Sequence, residues 1–279
     1  MDAWHSQDRH LVRLEWGADA SVALARHARD AGSDVVAVVA DVLSFTTCVS
    51  VGVDRGVRVR PYRWKDASAA AFARENGAVL AQPRGPVPPA GTADAADGDD
   101  GRVSLSPRSI RTAEGLTDLV LPSPNGSTVC AGLAEAGAEV VAACLRNRTA
   151  VARHLAARFT ASPNRPPVVL LVPAGERWPD DSLRPAAEDL WGVGAVADAF
   201  ARLLEHRAGP LLLSPEARVA VAAWDAVAAP VDALAADLHA CSSGRELEEK
   251  GYADDVVVAA ELDASDVVPV LRDGVFVAV

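Results

Sequence analysis

Residues able to handle an anion gather at four places where an apolar run of the chain ends: Asp41 with Thr46 and Thr47; Asn125 with Gly126, Ser127 and Thr128; Asn147 with Arg148; and Glu176 with Arg177. Arg184, Glu188 and Asp189 follow shortly after the last of them. The set is rich in carboxylates, hydroxyls and guanidinium groups, and no nucleophile and base pair stands out. Such a set suits a magnesium ion held by one or two carboxylates together with phosphate oxygens. Arginine forks and backbone N–H groups would take the remaining phosphate oxygens. Asp41, Glu176 and Glu188 are the candidate metal ligands.

The stretch 121–128 shows how the backbone contributes. Residues 118–121 read as the end of a buried strand, Pro122 and Pro124 stop it, and Asn125-Gly126 tolerates unusual dihedrals. Ser127 or Thr128 is then expected to cap a helix over 129–135, whose N terminus faces past the strand as an anion site. A plain strand-turn-helix connection has the same pattern. Asp41 is open in the same way: it stands where open α/β sheets place ligand groups, and it also reads as a helix cap. Arg184, Glu188 and Trp191 are spaced to share one helix face, as either a site edge or a surface ion pair.

These groups require strands to deliver them. Runs at 34–40 and 168–172 are continuous and apolar, as central strands buried on both faces should be. Further strands are expected at 11–16, 57–62, 78–81, 139–145, 255–260 and 274–278. Helices are expected at 21–29, 48–55, 66–75, 147–158, from about 180 to 206, and at 215–227, 231–240 and 243–250. Residues 82–102 contain Pro83, Pro86, Pro88 and Pro89 with Asp94, Asp97, Asp99 and Asp100, and have no period. They read as a long loop inserted into one domain spanning 1–279.

The formal net charge of -11 argues against a broad nucleic-acid surface. The four cysteines form no C-x-x-C pair, no apolar stretch approaches membrane-spanning length, and the N terminus lacks the features of a secretory signal. A cytoplasmic protein that does not engage membranes is expected, and a homodimer is the simplest assembly. P-loop, dinucleotide, nucleophile-elbow and zinc-helix motifs are all missing, and the six histidines suit surface or structural positions better than a triad.

Asp41-Val42-Leu43-Ser44-Phe45-Thr46-Thr47 resembles the D-V-L-R-A-T-T segment of the 2-phosphosulfolactate phosphatases, the ComB-like proteins of the coenzyme M pathway. Residues 124–128 are similar to that family's T-N-G-T turn. Residues 145–147, 174–176, 188–189 and 243–247, with Gly251, Asp254 and Asp255, fall in the family's order. The resemblance implies a three-layer α/β/α fold with a mixed central sheet. It also implies a magnesium-dependent phosphatase that converts 2-phosphosulfolactate, a small anionic phosphorylated substrate, to sulfolactate and phosphate. Carried onto this chain, Asp41, Glu188 and Asp189 become the metal and acid–base candidates, and Asn125, Gly126, Ser127 and Thr128 the phosphate turn. Thr46, Thr47, Asn147 and Arg184 complete the expected substrate contacts. Ser44-Phe45 departs from the pattern by removing one arginine, which Arg108, Arg177 or Arg184 would have to replace. That departure also raises a second reading, a repurposed anion-binding protein that keeps the pocket without hydrolysis.

Overall fold

The computed structural model describes residues 5–64, 66–85, 103–204 and 212–279. Its centre is β2 (Val35–Ala40), whose six residues are all buried. Alternate side chains enter two separate cores: Val36, Val38 and Ala40 one, Val35, Ala37 and Val39 the other. This two-sided burial explains why the run is continuously apolar rather than alternating. β7 (Val168–Pro173) and β6 (Glu139–Ala143) pair in parallel on either side of β2, and β1 (Val12–Leu14) lies parallel outside β7.

A second group of parallel strands consists of β3 (Arg58–Tyr62), β5 (Asp118–Pro122) and β4 (Val79–Leu80). Between the two groups lies the hairpin of β10 (Pro269–Arg272) and β11 (Val275–Ala278), antiparallel to β6 on one side and to β3 on the other. Asp273 and Gly274, both with positive φ, make its tight turn. The result is one mixed nine-stranded sheet in the order β1-β7-β2-β6-β10-β11-β3-β5-β4. Three successive antiparallel steps make β3, β5 and β4 run opposite in sense to β1, β7, β2 and β6.

Helices cover both faces. α1 (Gly17–Asp30), α2 (Phe45–Asp54), α4 (Pro107–Thr112) and α5 (Gly126–Glu135) pack on one. α6 (Arg148–Ala161), α7 (Ala187–Leu203), α8 (Pro215–Asp225), α9 (Val231–Ala240), α10 (Ser242–Glu249) and α11 (Ala253–Ala259) pack on the other. With α3 (Ala67–Glu75) beside β4 and β5, this is a three-layer α/β/α architecture. Among the described residues no helix is long and apolar enough to cross a membrane.

Several expected elements change. Residues 255–260 were expected as a strand, but they lie in α11 and just beyond it. Val256 and Ala259, three apart, pack into one core while Val257 points to solvent, so tertiary packing overrides the β propensity of the valines. The position beside β6 is filled instead by β10, a four-residue strand that begins at a proline. Arg184 lies on β9 (Leu183–Arg184), which pairs with β8 (Glu176–Arg177), so it shares no helix face with Glu188 and Trp191. Of the loop at 82–102, residues 86–102 lie outside the described residues, as does the expected helical extension to His206.

α7 and α8 cross closely at Gly194, where a Cβ would collide with the backbone carbonyl of Ala220. Gly194→Ala is expected to destabilise the protein by about 1–3 kcal/mol, the usual cost of overpacking a tight core contact. Chemical denaturation of the variant against the wild type measures it.

Candidate active site

Three pairs of consecutive residues and Asp189 meet beyond the carboxyl end of β2. Asp41 ends the strand, and its two carboxylate oxygens accept from two helix starts: Oδ1 from Phe45 N at 3.0 Å in α2, and Oδ2 from Gly126 N at 3.0 Å in α5. Next to Gly126, Asn125 Nδ2 donates to Glu176 Oε2 at 2.7 Å. Next to Glu176, Gly175 N donates to Asp189 Oδ2 at 2.9 Å. The other oxygen of Asp189 accepts from Val42 N at 2.7 Å, returning to the residue beside Asp41. The pairs 41–42, 125–126 and 175–176 therefore form, with Asp189, a closed ring of four hydrogen bonds, and Glu188 stands beside it as the neighbour of Asp189.

Two glycines permit the ring. A Cβ on Gly126 would collide with the Asp41 carboxylate and the Phe45 ring, so only glycine brings α5 this close. Gly175 has φ of +68°, and a Cβ there would strike Leu183 and the carbonyl of Arg184. The helix-terminus amide accepted by Asp41 explains how α5 reaches β2 although β5, which precedes it, belongs to the oppositely running half of the sheet.

The ring buries several negative groups together. Burial pushes the Asp41 carboxyl up, the charge of Glu188 adds to this, and the two N–H bonds and Arg84 oppose it. Asp189 is pushed well above the usual carboxylate range by burial and then by Asp41 and Glu188. Glu176 is pushed up to about 7 by burial, with Asp41 next and Arg184 opposing. Glu188 is itself only 2 % exposed. Clustered carboxylates with raised proton affinity are typical of sites that bind a cation or move protons.

The donor set suits a hard cation. Asp41 and Asp189 have each used both oxygens once on backbone N–H groups, whereas among the described residues no backbone N–H donates to Glu188 or to the second oxygen of Glu176. Among the described residues no three His, Cys, Asp or Glu side chains converge into a complete ligand set. Magnesium does not require one, since it commonly binds one or two carboxylates and completes its shell with water and phosphate oxygens.

The other expected contacts divide. α5 begins at Gly126, earlier than expected, with Asn125 as the flanking residue, so neither Ser127 nor Thr128 caps it. Ser127 Oγ instead donates back to Leu121 O at 3.2 Å. The amides of Ser127 and Thr128 still lie in the first turn, where an α-helix offers no internal acceptor. Thr46 Oγ1 bonds both backbone groups of Asp41, and Thr47 Oγ1 donates to Val42 O at 2.7 Å, so both hydroxyls shape the turn. Asn147 is fully buried and bonds Ala142 O, Val267 O and Cys144 N, which spends its amide on the fold instead of on a ligand. Arg184 stands opposite Glu176 on the β8–β9 ribbon and donates to Ser243 Oγ at 3.3 Å. His27, His154 and His239 pair with Asp8, Glu139 and Glu248.

The cation that stands beside Ser44 is Arg84, which sequence reasoning missed. Arg177 pairs with Asp181 and Arg108 with Asp254, both at exposed positions. Arg84 instead donates from Nη2 to Ser44 Oγ at 2.7 Å and to Asp255 Oδ2 at 3.1 Å. Its only signal was to be an arginine between Pro83 and Gly85 in an aperiodic stretch.

The family model described as 2-phosphosulpholactate phosphatase matches residues 23–274 of the 279. The chain belongs to this family. The matched span includes every residue of the hydrogen-bond ring together with Arg84, Ser106 and Asp255. Membership supports phosphatase chemistry, with a small phosphorylated molecule as its object.

Two stability predictions follow from the ring. Asp189→Ala leaves the amides of Val42 and Gly175 without acceptors and should cost about 2–5 kcal/mol, whereas Glu188→Gln, which supports no backbone group, should cost less than about 1 kcal/mol. Denaturant titration of both variants measures the difference. Glu176 has a proton affinity in the folded protein above its unfolded value of 4.5, so the fold holds a proton there that the unfolded chain has released. Its contribution is present below about pH 4.5, declines as pH rises to about 7 and stays lost above, by at most about 3 kcal/mol. In protein stripped of divalent ions with EDTA, Glu176→Gln should flatten stability over that window.

Proposed function

We propose that the protein is a magnesium-dependent phosphatase acting on a small anionic phosphomonoester, 2-phosphosulfolactate, to give sulfolactate and phosphate. The observation that carries this reading is the closed ring, which gathers Asp41, Glu176, Glu188 and Asp189 at the N terminus of a helix. Asp41 and Glu188 are the residues that would hold magnesium. When bound, the ion offsets the negative charge of the carboxylates and of the phosphate and polarises the ester.

The chain's own groups account for the rest. The first-turn amides of Ser127 and Thr128 and the hydroxyl of Thr128 receive phosphate oxygens, and the partial positive charge of α5 favours them there. Arg184 stands beside Glu176 to take a further oxygen. Glu176, with a proton affinity near neutrality, accepts a proton from the attacking water. That water bonds to phosphorus as its proton passes to Glu176, the ester P–O bond breaks, and the leaving alkoxide takes a proton from solvent water to become the alcohol. Asp189 acts by positioning: it fixes the backbone on both sides of the site and keeps Glu188, its neighbour in α7, facing inward. Arg84 supplies a cation beside Ser44, which supports hydrolysis over the reading of a binding protein that lacks it.

Glu188→Gln and Glu176→Gln are each expected to lower kcat for magnesium-dependent phosphate release by at least about 100-fold, as loss of a general base or metal ligand does. Asp41→Asn is a poorer probe, because its amide NH2 would face the N–H of Phe45 or Gly126 and cost stability as well. Phosphate release by the wild type from 2-phosphosulfolactate, with magnesium and with EDTA, tests the proposal. Turnover unaffected by EDTA and by both substitutions would overturn it.

A further inference from the structure

The ring and the N terminus of α5 leave Arg84 without a task, yet the fold holds it with some care. Its guanidinium lies 5.2 Å from the centre of the Tyr252 ring and shares Nη2 between Ser44 Oγ and Asp255 Oδ2. Asp255, in the first turn of α11 and 1 % exposed, is fixed in turn by Ser106 Oγ at 2.5 Å and Arg108 N at 3.3 Å. Arg84 Nε is buried and has no hydrogen-bond partner. Ser44 Oγ accepts from Arg84, so its own proton is directed elsewhere, and among the described residues no acceptor receives it. Two donors side by side therefore lack an acceptor, which is costly unless one arrives from outside.

Their place relative to Asp41 says what would arrive. Oδ1 of Asp41 accepts from Phe45, adjacent to Ser44, while Oδ2 accepts from Gly126 in α5. The donors of Arg84 and Ser44 thus flank Asp41 on the α2 side, and the first-turn amides of α5 flank it on the other. Resting on the phosphatase reading, we propose that Arg84 and Ser44 form the subsite for a second anionic group of the substrate, a sulfonate or carboxylate on the carbon skeleton, while α5 receives the phosphate. Asp255 and Ser106 position the guanidinium. The subsite makes the enzyme selective for a phosphomonoester whose alcohol carries its own negative charge.

The test compares magnesium-dependent hydrolysis of isopropyl phosphate, 2-phospholactate and 2-phosphosulfolactate by wild type, Arg84→Gln and Arg84→Lys. In Arg84→Gln the kcat/KM preference for the charged-tail esters over isopropyl phosphate should fall about ten- to 100-fold, through KM, with partial recovery in Arg84→Lys. Loss with 2-phosphosulfolactate alone assigns the subsite to sulfonate; loss with 2-phospholactate as well assigns it to carboxylate. Equal losses for all three esters would overturn the proposal. Calorimetric binding of sulfolactate separates this outcome from failure of the phosphatase reading. If the wild type hydrolyses no ester, tenfold or greater weakening of sulfolactate binding in Arg84→Gln still supports the subsite. Unchanged affinity, or no binding to the wild type, overturns it.

Discussion

The structure depends on the burial of the Asp41 carboxylate between two helix starts. A carboxylate taken out of water must be met by donors, and here the donors are backbone amides of α2 and α5. That requirement fixes the beginnings of both helices on the end of β2. Asp189 repeats the arrangement from the opposite layer, joining the start of α7 to the ends of β2 and β7. Because β5 belongs to the half of the sheet that runs the other way, strand direction alone does not bring its following turn to β2. The carboxylate–amide ring does, and it requires glycine at 126 and 175.

The same ring creates the electrostatic condition for function. Burial raises the proton affinity of Asp41, Glu176 and Asp189, and the neighbouring charge of Glu188 adds to it, in a space where Arg84 and Arg184 are the nearby cations. A protein of net charge -11 can attract a phosphate ester only by local means, namely a metal ion, a helix terminus or a placed arginine. The carboxylates favour the first, α5 offers the second, and Arg84 and Arg184 offer the third. Fold and site share their supports: Asp41 and Asp189, which accept backbone N–H bonds, hold in place Glu176 and Glu188.

Much of this was legible in the sequence because buried strands leave a plain pattern. Val35–Ala40 and Val168–Pro173 read directly as central strands, and the polar residues after them mark the side where the site forms. Asp41, Gly126, Glu176, Glu188 and Asp189, which the structure brings together, were candidates in the sequence because each follows or precedes such an element. What was hidden depended on distant partners. Arg84 stands in an aperiodic stretch, and Ser44 and Asp255 lie 40 and 171 residues away. Asp255 sits in a valine-rich run whose β propensity masked a helix held by packing. Asn147 has the right chemistry for a ligand contact, but its buried amide answers three backbone groups, a demand that appears only when the strand end and the loop at Val267 are brought together. Arg184 and Glu188 have helical spacing but sit on different elements, because the β8–β9 ribbon ends before α7 begins.

The central claim is that the ring holds carboxylates for a cation which, in turn, helps hold phosphate. Calorimetric titration of magnesium into the protein with and without inorganic phosphate tests this most directly. Magnesium should bind the wild type more tightly when phosphate is present, phosphate should gain equally from magnesium, and Glu188→Gln should abolish the coupling while keeping the fold. Magnesium binding that is absent from the wild type, or unchanged by phosphate and by Glu188→Gln, would contradict the account.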